Sequence, residues 1–212
     1  MTAIGSNVEA MPHIRKPAGA WRNFWALAAL IALMSAGILL RNGDFIEQLR
    51  LLIRTTARTS AGLFLIAFTA SAIDRLLPNA FSTWALHNRR QLGLAFAFSH
   101  TVHAIAIFSY WKLAPELFWH GRSVAANMPG AFGYLAIVAL VATSNDVAVR
   151  KLSFSLWKRV HTVAIWVIFA VFFIAWGKRI PTEHIYAIPF ALFAAAALIR
   201  LISNRYASAR TA

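Results

Sequence analysis

Four of the seven histidines in this chain sit where an imidazole could do chemistry. His100 and His103 lie well inside an apolar run that begins at Gln91. His87 precedes that run, next to Arg89 and Arg90, and His161 opens another run behind Trp157, Lys158 and Arg159. An ionisable side chain within a lipid-spanning helix is costly and marks function by default. For imidazole the usual function is to hold a metal or haem iron through a ring nitrogen. The plain structural alternative for His100 and His103 is a pair of neutral rings hydrogen-bonded to neighbouring helices, worth about 1 kcal/mol. His13 in the N-terminal stretch and His120 and His184 in loops read as solvated surface groups.

The elements that must position these rings are apolar spans. The chain has 212 residues, 59% of them hydrophobic and only 13% charged, too apolar for a soluble domain of ordinary composition. Crossing about 30 Å of hydrocarbon takes about 20 mostly apolar residues. Six stretches qualify: Trp21 to Leu40, Thr59 to Leu77, Gln91 to Trp111, Pro129 to Thr143, Val160 to Trp176 and Ile185 to Ile202. Their apolar runs are continuous rather than alternating, which selects helices over barrel strands. The expected fold is an all-α integral membrane protein, a six-transmembrane-helix bundle over residues 21–202. A flexible N-terminal tail is expected over 1–20 and a short C-terminal tail over 203–212.

A net charge of +14 in a soluble protein would point to nucleic acid; here membrane topology accounts for it and no nucleic acid is expected. Six spans place 13 Lys and Arg on the side of the termini and 8 on the other, so both termini are expected to be cytoplasmic. The basic stretch Arg41 to Arg58, read as a loop, dissents from that rule. Trp21, Trp25, Trp84, Trp111, Trp119, Trp157 and Trp176 fall near span ends and read as an aromatic belt at the lipid–water boundary.

The chain has no cysteine, which excludes thiolate-ligated iron–sulfur clusters and disulfides. No GxGxxG or phosphate loop is present, so no nucleotide-binding domain is part of this sequence and electrons would have to come from elsewhere. The third and fifth spans run in the same direction, and counting from their basic starts sets His161 level with His87, Arg89 and Arg90, and His103 level with about Ile174. An imidazole nitrogen sits only about 2 Å from a metal it binds, so a His103–His161 pair across one iron would need strongly staggered helices. Three arrangements stay open: a haem between His161 and His87 near the basic edge, a haem on His103 or His100 with another ligand, or a scaffold without haem.

Arg89 to Leu94 reads Arg-Arg-x-Leu-Gly-Leu with His103 downstream, Ala142 to Asn145 reads Ala-Thr-Ser-Asn, and Trp157 to His161 reads Trp-Lys-Arg-x-His. In this order and spacing, over roughly residues 50 to 180, the chain resembles the ferric reductase-like transmembrane domain family. Within it, the chain is most similar to the haem-binding membrane subunits of bacterial periplasmic methionine sulfoxide reductase systems. The resemblance implies haem b, one or two, with His103 and His161 as iron ligands, and His100, His87, Arg89, Arg90 and Arg159 as further cofactor-binding candidates. It also implies a histidine about 13 residues after His161, where this chain has Ile174. Two axial imidazoles leave iron no open position, which suits one-electron transfer. By the same resemblance the donor would be a quinol or a reduced flavin such as FMN. The acceptor would be a periplasmic reductase subunit or ferric iron, and the location the bacterial inner (plasma) membrane. The competing reading is a haem-free member of the scaffold serving as a structural or accessory subunit. A transporter ranks third, for want of a buried carboxylate–cation relay and a broken helix pair.

Overall fold

The computed structural model describes residues 20–120 and 123–209; the expected N-terminal tail with His13, together with Arg122 and Arg210, lies outside the described residues. Among the described residues there are nine α-helices and no strand. They are α1 (Ala20–Leu39), α2 (Phe45–Leu76), α3 (Ala80–His87), α4 (Arg89–Leu113), α5 (Pro115–Trp119), α6 (Val124–Ala142), α7 (Asp146–Lys151), α8 (Phe154–Gly177) and α9 (Ala187–Ala209), with a short 3₁₀ turn at His184–Tyr186. Five helices are long and apolar enough to cross a membrane: α1, α2, α4, α8, and α9 with the turn before it. The apolar part of α6, Asn127–Ala142, is shorter than the other five.

Three boundaries differ from the hydropathy reading. Helix α2 starts at Phe45, where the Asp44 side chain accepts from the backbone N–H groups of Ile46 and Glu47, so most of the stretch read as the loop Arg41 to Arg58 is helix. Arg50, Arg54 and Arg58, spaced four apart, are exposed along one side, while Leu49, Leu52, Thr56 and Ser60 are buried on the other. A hydropathy average registers the charges and misses the face. Helix α8 begins at Phe154, capped by Ser153, so Trp157 and His161 lie within its first turns. Helix α9 runs on to Ala209, into the expected C-terminal tail, and Ser203 is buried there, accepting from Arg75 through its hydroxyl oxygen at 2.9 Å and its carbonyl at 3.2 Å.

The closest seam is α2 against α4. Its contact positions are small: Thr56, Ser60, Ala61, Ala95 and Ser99 are all nearly or fully buried, which lets two backbones approach where lipid supplies no hydrophobic drive. Helix α1 packs on both members of this pair, and α9 bridges α2 to α8. At the centre Phe64 stacks on Phe68 (5.4 Å) and lies 5.6–6.1 Å from Phe96, Phe172 and Phe193. Phe193 is wholly buried. Helix α6 packs closely on α8 but meets α4 only sparsely. Space is left between α4 and the α6–α8 pair. Among the tryptophans, Trp21, Trp25, Trp84 and Trp119 are exposed as a belt requires, whereas Trp176 is buried against Tyr186 and departs from that reading.

Candidate functional site

The space beside α4 is a cavity of about 470 Å³ at the Arg89 end of the bundle. Three short-range devices build its rim. Asn79 and Ser82 form a reciprocal cap that starts α3, and Ser82 and Thr83 donate to Asp74 at the end of α2. Asn23 of α1 donates to Asn88 Oδ1 at 2.7 Å, and Asn88 donates to the Trp84 carbonyl, which pins the joint between α3 and α4. The residues on either side of that joint, His87, Arg89 and Arg90, all line the cavity.

Across from them stands His161 on α8, also lining the cavity, with the Trp157 ring one turn earlier tilted against its own at 4.2 Å. Trp157 Nε1–H donates to the Thr143 carbonyl at 3.0 Å, tying α8 to the end of α6. Phe64, Phe68 and Phe96 close the inner wall. Gly93 also lines it, and a Cβ there would meet no neighbouring atom within 4 Å. The arrangement is therefore an apolar, aromatic-walled slot with cationic groups at its mouth and imidazoles on two sides.

At three of the histidines a hydrogen-bond partner selects the tautomer of the neutral ring. His87 Nδ1 lies 2.6 Å from the Thr83 carbonyl, and His103 Nδ1 lies 3.0 Å from the Ile53 carbonyl. A carbonyl only accepts, so both rings are Nδ1–H tautomers with a bare lone pair on Nε2, the form in which histidine commonly serves as a ligand. His161 is the reverse. Its Nε2 lies 2.9 Å from Thr143 Oγ1, and that hydroxyl is itself 2.6 Å from the Ala139 carbonyl. The hydroxyl proton is committed to the carbonyl, so His161 donates from Nε2 and keeps its lone pair on Nδ1.

His103 and His100 lie elsewhere. They are about three to four helical turns farther along α4 than Arg89, roughly 15–20 Å at 1.5 Å per residue, and neither lines the cavity. The two rings stack at 4.9 Å, and His100 also meets Tyr134 at 5.1 Å and Phe172 at 5.8 Å. His100 Nδ1 and the Tyr134 hydroxyl are buried without a hydrogen-bond partner. Thus the structure brings His87, Arg89, Arg90 and His161 together and sets His100 and His103 apart as a second group. Arg159 and Ile174 both line an outer groove of about 890 Å³ between α6 and α8, walled by small and branched residues. Phe172, rather than Ile174, is the α8 residue that faces His100.

Among the described residues no three His, Asp or Glu side chains gather as a metal-ion site. The sequence reading missed Thr143 and Trp157 as partners of His161, and Tyr134 as the neighbour of His100. Only the Ala142 to Asn145 run hinted at the first.

The family described as ferric reductase like transmembrane component matches residues 56–172, more than half of the chain. The match takes in most of the α2–α4 seam, the whole cavity lining and both histidine groups. No curated protein and no solved structure matches the chain.

Proposed function

The chain belongs to the ferric reductase like transmembrane component family, and from that premise we propose that it is a membrane electron-transfer protein carrying haem b in the cavity at the Arg89 end. The observation that carries this reading is the cavity itself, with His87 and His161 on its walls, Arg89 and Arg90 at its mouth and open space over Gly93. Haem would supply one-electron redox chemistry there. The residues of the chain would do the rest: His87, held by the Thr83 carbonyl, would present Nε2; Arg89 and Arg90 would pair with the propionates; Phe64, Phe68 and Phe96 would exclude water. His103, also with Nε2 bare, is the ligand candidate if the haem lies in the deeper layer instead.

The finer proposals follow the same reading. The bundle has six spans with α6 as the shortest, both termini lie on the cytoplasmic side, and the membrane is a bacterial inner membrane. A quinol or a reduced flavin such as FMN supplies electrons, and a periplasmic reductase of the methionine sulfoxide type, or ferric iron, receives them. The test is a visible spectrum of the purified chain before and after dithionite, with the pyridine haemochrome stoichiometry. A single haem per chain with shifting Soret and alpha bands is expected. A colourless, folded protein from haem-replete cells would instead favour the haem-free accessory subunit, a reading to which the occupied Nε2 of His161 lends support.

A further inference from the structure

Three histidines are offered as iron ligands, and one is in the wrong tautomer. His87 and His103 give Nδ1–H to backbone carbonyls, an arrangement that needs no rearrangement to leave Nε2 free. His161 spends its Nε2–H on Thr143 Oγ1. The acceptor is not free to turn its own proton toward the ring, because the 2.6 Å contact to the Ala139 carbonyl would then bring two oxygens together with no hydrogen between them. Trp157 holds the same pair, its ring tilted against the imidazole at 4.2 Å and its Nε1–H donating to the Thr143 carbonyl.

We propose that Thr143 is a positioning residue that competes with iron for Nε2 of His161. This rests on the assignment of haem to the cavity. For Nε2 to serve as a ligand the Nε2–H···Oγ1 bond must break and the ring proton must pass to Nδ1 through solvent exchange, leaving Nε2 with its lone pair.

Two measurements on the full-length chain in lipid nanodiscs test it. The first is ¹⁵N NMR of the histidine rings in protein made without haem, with His161 assigned by its loss in H161Q. Protonated Nε2 is expected for His161 and protonated Nδ1 for His87 and His103. The second is hemin titration followed at the Soret band in wild type, T143V and T143S. Valine keeps the volume and removes the acceptor, so its hemin Kd is expected to fall about 2- to 10-fold, the equivalent of one net hydrogen bond; serine keeps the acceptor and should bind as wild type does. An unchanged or weaker Kd in T143V, or a wild-type His161 protonated at Nδ1, overturns the competition while hemin binding itself stands. Failure of every variant to bind hemin, with His161 still protonated at Nε2, overturns the haem assignment and the competition with it.

Discussion

The Arg89 end of the bundle and the His100–His103 layer differ in how their polar groups are satisfied. In the deep layer the seam hydroxyls are engaged: Thr56 Oγ1 donates to the Leu52 carbonyl at 2.6 Å, Ser60 Oγ to the Thr56 carbonyl at 2.7 Å, and Ser60 and Ser99 meet at 3.0 Å across the seam, while beside it His100 Nδ1 and the Tyr134 hydroxyl are buried without a partner. Helices α2 and α4 are thereby locked at close range, and the rings of His100 and His103 stack beside that seam. At the Arg89 end, α4 and the α6–α8 pair barely touch, and His87, Arg89, Arg90 and His161 line a space between them. One region is built as a seam and the other as a container. Histidine appears in both, so imidazole within a span does not by itself identify a ligand; the cavity beside the ring does.

The largest effect that would break this contrast comes from the histidines. His161→Ala is expected to remove nearly all haem from the purified protein, measured by pyridine haemochrome, while His103→Ala keeps most of it. The reverse pattern would move the haem into the deep layer and leave the cavity for another ligand.

A pair of enlargements sharpens the same contrast. Ser99 is wholly buried against Ser60, so Ser99→Leu overpacks the seam and should cost about 1–3 kcal/mol, read as a lower melting temperature in detergent. Gly93→Leu points into open space and should leave the melting temperature close to wild type while the haem content drops by more than half. A Gly93→Leu protein that melts early but loads haem normally would mean the cavity is not where the cofactor lies.

Much of this contrast was legible in the sequence, and the reason is helical rise. Counting along two parallel spans from their basic starts set His161 level with His87, Arg89 and Arg90, and those residues line one cavity; the same count kept His103 away from them. Hydropathy failed where charge and helix coincide. Arg50, Arg54 and Arg58 made the first half of α2 look like a loop, although their spacing of four is itself a helical signal. The position of Ile174 could be numbered but not aimed: thirteen residues after His161 a regular helix has turned well away from the same face, and Ile174 lines the outer groove. The tautomers were beyond any sequence reading. They depend on a hydroxyl eighteen residues from His161 at the end of another helix, and on which carbonyl of α2 meets His103.

The smallest predicted effect separates the two acceptors at His103. Its Nδ1 lies 3.0 Å from the Ile53 carbonyl and 3.1 Å from Thr56 Oγ1, so either could be what holds the ring. A carbonyl has no proton to offer and fixes the tautomer unconditionally, whereas a hydroxyl can donate or accept and fixes it only while its own proton is committed elsewhere. Thr56→Val should therefore leave His103 protonated at Nδ1 in the ¹⁵N spectrum. It should cost only about 0.5–1 kcal/mol in denaturant unfolding, the usual size of one interhelical hydrogen bond within a membrane. A switch of His103 to the Nε2–H form in that variant would assign the control to Thr56, and the deep histidine would then resemble His161 in being governed by a threonine.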